Sequence, residues 1–200
     1  MTERRRVTVS PKEGGPRRPA IPDSLPAARD ESEAATEGTA DGPACDCPVL
    51  DPGDWDGVES DWSGITFLKT TTTAVLGVPM GFGSARAALA GAAGKVGANV
   101  PGDAMLLLGP GRFRRQLMLE VEGAPAHAKG VARPGGLVYT RLLPAPWGQM
   151  RAQLDATRDA ACEKYGRNPD QMWIWYLTCR ACSADRNFET LFVAHYRREP

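Results

Sequence analysis

The chain is poor in histidine, with two in 200 residues. His127 falls in a loop and His195 in a strand-like run, and neither stands in a triad-like context. No Gly-x-Ser-x-Gly elbow occurs, which argues against esterase chemistry. No segment approaches the roughly 18 apolar residues a membrane span requires. The arginines after Met1 are followed by Val7-Thr8-Val9-Ser10-Pro11-Lys12 rather than an apolar stretch, so a secretory signal is not expected. An excess of one charge is also missing: 24 basic residues face 24 acidic ones. That balance lacks the electrostatic footprint of a nucleic-acid binder. Arg4-Arg5-Arg6 and Arg112-Phe113-Arg114-Arg115 are local clusters, read as solvated faces. Five cysteines, an odd number, argue against a disulfide framework and for reduced thiols or a metal site. The expected setting is cytoplasmic, with no nucleic-acid or membrane partner, and the oligomeric state is left open.

What is present divides into three parts. Residues 1–44 are rich in Pro, Gly, Ala, Glu and Asp and nearly empty of large apolar side chains. Such a stretch cannot bury enough surface to offset its ordering entropy, so a disordered arm is expected. Residues 45–63 open on Cys45-Asp46-Cys47-Pro48 and carry Trp55 and Trp62 among acidic residues. Indole rings bury a large area, so this segment is expected to lie on the following domain as a strap. The chain as a whole is 42% hydrophobic, and residues 64–198 carry apolar residues in periodic runs.

Those runs repeat one pattern. The first copy begins with a β-rich run over 65–78, broken near Pro79-Met80-Gly81. A helix is expected from Ser84, as N-cap, to about Gly97, with Ala85, Ala88, Leu89, Ala92 and Val96 on its apolar stripe. Strands follow over 104–108 and 115–122. In the second copy a strand over 136–143 leads through Pro146 to a helix over 147–165, ended by Gly166. Its stripe is Trp147, Met150, Leu154, Ala161 and Tyr165; Cys162 beside it reads as core. Strands over 172–178 and 190–196 close the chain. Two β-α-β-β repeats predict an α+β fold: one mainly antiparallel sheet, both helices on one face, and a ligand cleft on the other.

This order, with Ala145-Pro146-Trp147 at the strand-to-helix corner, resembles the GyrI-like small-molecule-binding domain over about Ile65 to Arg197. The closing stretches Trp173-Ile174-Trp175-Tyr176-Leu177 and Thr190-Leu191-Phe192-Val193 resemble that family's final hairpin. The resemblance implies a domain that binds drug-like aromatic molecules. Members acting as effector domains follow a helix-turn-helix; none precedes the domain here. Drug-binding members place a Glu after the Thr of the last strand, where this chain has Leu191. A stand-alone domain with an aromatic closing hairpin resembles an enzyme branch, the cyclopropanoid cyclopropyl hydrolases. These detoxify DNA-alkylating spirocyclopropyl antibiotics of the yatakemycin and CC-1065 type. The implied reaction opens the strained ring by adding water and needs no cofactor; a non-catalytic drug-sequestering protein and a zinc-binding regulatory module are the alternatives.

Such chemistry needs an apolar slot, a donor for the dienone oxygen and a carboxylate to orient water. Phe67, Tyr139, Trp147, Trp173 and Trp175 are available for the slot, with ordinary core packing as the competing reading. Alternation puts Trp173 and Trp175 on one face and Tyr176 on the other. Over 117–122, alternation sends Leu117, Leu119 and Val121 beneath the helices and Met118, Glu120 and Glu122 toward the expected cleft. Glu120 is therefore the first carboxylate considered, with Glu122 and Glu189 next. Tyr176 or Tyr139 is the expected donor. Cys45, Cys47, Cys179 and Cys182 offer four thiolates, the number a structural zinc takes; free thiols and a redox pair are the alternatives.

Overall fold

The computed structural model describes residues 49–75, 78–146, 148–177 and 180–197. The arm expected over 1–44, together with Cys45 and Cys47, lies outside them. The described chain opens with α1, a single turn over Pro52–Trp55. Asp51 caps it, its carboxylate accepting from the Gly53 N–H at 2.7 Å. A short strand follows, β1 over Glu59–Asp61.

The first repeat comprises β2 (Phe67–Val75), a short return strand β3 (Val78–Pro79), α2 (Phe82–Lys95), β4 (Leu106–Leu108) and β5 (Arg114–Glu120). A two-residue strand, β6 (Val131–Ala132), pairs with β2. The second repeat comprises β7 (Leu137–Pro144), α3 (Met150–Tyr165), β8 (Gln171–Trp175), a short helix α4 (Arg180–Asp185) and β9 (Glu189–Tyr196). The sheet order is β1-β7-β9-β8-β4-β5-β2-β3, every pairing antiparallel. Within each repeat the first long strand lies outside, the third beside it and the second at the centre. The two halves meet where β4 pairs β8, Leu107 opposite Trp175 and Leu108 opposite Ile174. The α+β architecture with two long helices is the one the repeat pattern implies.

Local chemistry explains where the elements differ from expectation. Ser84 is not the cap of α2. The bend at Pro79-Met80-Gly81 already carries the chain into the helix, with Gly81 in the left-handed region at φ 65°. The Ser84 hydroxyl donates back to the Gly81 carbonyl at 2.8 Å. Leu89 and Ala93 are the buried residues of α2, whereas Ala88 is exposed. The end of α3 is as expected, with Gly166 left-handed at φ 68°.

Both long helices lie on one face of the sheet. Leu89 and Ala93 of α2 pack on Leu68, Leu106, Leu117 and Leu119. Under α3, Ala161, Leu154 and Met150 meet Ile174, Phe192 and Ala194. The second face is not the open cleft expected from the sequence. It is a core of its own, built from Phe67, Met118, Val138, Trp173, Trp175 and Val193 beneath Leu50 and Trp62. Trp62 is 2% exposed and stacks on Trp173 with ring centroids 5.9 Å apart; Trp55 stands edge-on to Trp175 at 5.4 Å. The backbone holds this strap down. Gly57 N–H donates to the Thr140 carbonyl, Thr140 N–H to the Val58 carbonyl, and Trp62 N–H to the Gly136 carbonyl, at 2.8–2.9 Å. The Arg141 guanidinium meets Asp56 at 2.6 Å, and Lys164 of α3 meets Glu59 at 2.7 Å.

His195 belongs to this second core. Its ring is wholly buried against Trp173 and Trp62, and Nε2–H donates to the Gly135 carbonyl at 2.6 Å. Nδ1 is buried with no partner among the described residues. Burial pushes the imidazole below its ordinary value of 6.5, against a raising effect of the Gly135 bond. The folded chain thus resists a proton that the unfolded chain accepts. Stability is unaffected above that ordinary value, and it falls as pH drops from there toward the lower folded pKa. Between about pH 7.5 and about pH 5.5, His195→Leu is expected to lose less thermal stability than the wild type, read as the difference in Tm.

Candidate functional site

The two long helices cover different strands of the sheet. α2 stands over β2 and β5, and α3 over β7, β8 and β9. A cavity of about 1070 Å³ lies between the start of α2, the β4–β5 loop, α3 and β8. Its apolar walls are Phe82 at the start of α2, Met150 and Leu154 on α3, and Met172 and Ile174 on β8. This volume suits a drug-sized ligand. Methionine and leucine walls adapt to irregular flat molecules.

Two polar groups lie on the floor. Arg115 shares the helix-facing side of β5 with Leu117 and Leu119; it is 7% exposed, and its Nε–H donates to the Gly109 carbonyl at 2.7 Å. Tyr176, just past the end of β8, packs its ring against Phe82 with centroids 5.3 Å apart. Burial pushes the Tyr176 phenol above its ordinary value, and the Arg115 charge opposes the shift. Burial lowers the Arg115 pKa, and Tyr176 opposes that change in turn. The phenol is therefore a proton-bearing donor beside a guanidinium. At the rim, Asp155 is paired to Arg158 at 2.9 Å, both half-exposed on α3. Glu189, where β9 begins, also lines the cavity. Asn187 and Phe188 before it hold positive φ, 52° and 56°, which turns the chain sharply at this corner.

Of the residues singled out in the sequence, the structure brings Tyr176, Trp175 and Glu189 to this cavity and places Phe67, Tyr139, Trp173, Glu120 and Glu122 elsewhere. Alternation gives Trp175 a second role, its indole packing in the strap-covered core. Phe67 and Trp173 are buried in that same core. Tyr139 lies under the C-terminal end of α3 beside Tyr165, centroids 6.1 Å apart. Trp147 lies outside the described residues. Glu120 does face away from the helices, but toward the covered side. It is 5% exposed; its carboxylate accepts from the Met105 N–H at 3.0 Å, and its own N–H donates to the Met105 carbonyl at 2.9 Å. A carboxylate expected to look into a cleft is thus built into a strand junction, because the strap closes that face. Glu122 is exposed beyond β5, its backbone bridged to Asn99.

Cys179 lies outside the described residues, as Cys45 and Cys47 do, and Cys182 is half-buried on α4. Among the described residues no three of His, Cys, Asp and Glu gather as a metal site. Cys162 is half-buried on α3. No described helix is long and apolar enough to cross a membrane.

The buried, charged cavity residue that the sequence did not single out is Arg115. Inside Arg112-Phe113-Arg114-Arg115 it looked like one more solvated cation. The signal was its parity: Arg115, Leu117, Leu119 and Val121 alternate onto one face, so Arg115 had to share the helix side. Arg112 also lines the cavity, whereas Phe113 is 65% exposed.

Compared with known proteins, residues 37–194 match the family model described as bacterial hydrolase. A search of the curated proteins and one of the solved structures each found no match. The match spans more than half of the chain, and the chain belongs to this bacterial hydrolase family.

Proposed function

From that membership we propose a hydrolase that detoxifies a reactive aromatic molecule by adding water, and that the reaction takes place in the cavity between α2 and α3. The observation that carries this reading is the meeting of Arg115, Tyr176 and Glu189 around one apolar-walled space. The proposed substrate is a spirocyclopropyl compound of the GyrI-like enzyme branch the sequence resembles. Its flat rings would lie between Phe82, Leu154 and Ile174.

Water attacks the unsubstituted cyclopropane carbon, and one ring C–C bond breaks. That electron pair moves through the dienone to its oxygen, which becomes a phenolate and then a phenol. Glu189 takes the proton from the attacking water, and that proton passes through solvent to the phenolate, which restores the carboxylate. Tyr176 donates a hydrogen bond to the oxygen as charge develops, and the Arg115 cation stabilises it in a poorly hydrated site. The sum is one water added. These groups come from the chain itself; a zinc on Cys45, Cys47, Cys179 and Cys182 would be structural.

The test is turnover of a spirocyclopropyl compound, followed by loss of the dienone absorbance and the mass gain of one water. Many equivalents of ring-opened product per protein support the hydrolase. Product that stops at one equivalent, or bound compound recovered intact, would assign the cavity to sequestration.

A further inference from the structure

The cavity's charge says more about its ligand than its shape does. The whole chain balances at 24 basic and 24 acidic residues. The cavity lining does not. Arg112 and Arg115 from the β4–β5 side and Arg151 and Arg158 from α3 face two carboxylates, Asp155 and Glu189. Among the described residues, four positive charges against two negative leave two in excess, drawn from opposite walls. Asp155 is occupied within its own helix, 2.9 Å from Arg158 and 4.0 Å from Arg151. Arg115 is the deepest of the four, on the floor beside Tyr176, with its Nε committed to the Gly109 carbonyl. Arg112 and Arg151 are exposed at the mouth.

Such a lining sorts ligands by charge. A lipophilic cation would meet a fixed guanidinium inside a low-dielectric space, where like charges repel far more strongly than in water. An acidic oxygen would gain a charge-assisted hydrogen bond there. At the mouth, exposed arginines draw anions inward, an effect that salt screens. We infer that the cavity selects aromatic molecules bearing an acidic oxygen, a phenolate or carboxylate, with the rings between α2 and α3 and the oxygen directed to the Arg115–Tyr176 end. The assignment rests on the cavity being the site proposed above, and it does not require turnover. It also fits the proposed chemistry, since opening a spirocyclopropyl dienone converts a neutral oxygen into a phenolate.

The test uses three probes of one shape on the full chain: 2-naphthoate, 2-naphthalenemethanol and 2-naphthylmethylammonium, by titration calorimetry. Naphthoate is expected to bind at least about 10-fold tighter than the alcohol, the scale of one charge-assisted hydrogen bond in a shielded site. The ammonium should bind weakest, and salt should weaken naphthoate alone. Arg115→Met should erase the preference for naphthoate over the alcohol. Because Arg115 is buried, Arg112→Gln at the exposed mouth serves as the second variant. It should keep the fold and reduce the salt dependence of naphthoate binding. Equal affinities for naphthoate and alcohol, or tightest binding of the ammonium, would overturn the inference. The two readings fail separately. Naphthoate preference without spirocyclopropyl turnover removes the hydrolase and leaves the charge selection; turnover without charge preference does the reverse.

Discussion

Glu189→Gln is expected to cut turnover by roughly 10²-fold or more while leaving the affinity for substrate nearly unchanged, the pattern for a lost general base. Glutamine keeps the length and polarity of the side chain and cannot accept the proton from water. Two carboxylates line the cavity among the described residues, and they differ in their surroundings. Asp155 is neutralised by Arg158 on the same helix, whereas Glu189 stands at a corner forced by two left-handed residues. Asp155→Asn is the matched control, expected to change turnover by less than about threefold, since an exposed ion pair contributes little. Glu120→Gln separates site from scaffold. It should lower stability by about 1–3 kcal/mol, because a buried hydrogen bond to Met105 is weakened, without changing turnover per folded molecule. Steady-state kinetics on the three variants, with Tm measured alongside, decides among them. Full activity in Glu189→Gln would remove it from the mechanism.

The largest effect on stability is expected at the strap. Trp62→Ala removes an indole that is 2% exposed, stacked on Trp173 and tilted against Phe67, so a cost of about 3–5 kcal/mol is expected. Trp55 is only partly buried, and Trp55→Ala should cost less. Urea unfolding reads both values. The strap and the cavity lie on opposite faces of the sheet, so turnover per folded molecule should survive either change below the melting point. A loss under about 1 kcal/mol for Trp62→Ala would mean that the second face holds together without the strap.

Much of this fold was legible in the sequence because its signals are periodic. Alternation assigned Leu117, Leu119 and Val121 to the helix side and separated Tyr176 from Trp173 and Trp175. Gly166 ended α3 where a left-handed residue was needed. The side of the cavity was not legible. Two faces of a sheet built from alternating apolar residues look alike in one dimension, and only the docking of Trp55 and Trp62 decides which is filled. Glu120 was assigned to the correct face for that reason and still missed the cavity. Short elements such as β1 and β6 carry too few residues for a period to show. They form because long strands offer them an edge. Arg115 was hidden by its neighbours' charges, since a cluster of arginines reads as solvent-exposed unless the parity of the following leucines is counted through it.

The two halves of the sheet are stitched in its middle by a two-pair ladder, Leu107 with Trp175 and Leu108 with Ile174, continued by Tyr176 N–H to the Leu106 carbonyl at 3.2 Å. The outer pairings run seven residues for β2 with β5 and eight for β7 with β9. The molecule is thus jointed like a book, two stiff leaves and a narrow spine, and the cavity lies beside that spine, lined there by Ile174, Trp175 and Tyr176. Arg115 rides on one leaf, Tyr176 and Glu189 on the other. On the proposed mechanism, a few degrees of opening would widen the space and part the donor pair together, tying access and chemical competence to one motion. Amide exchange should then be fastest along the spine and slowest in the outer ladders.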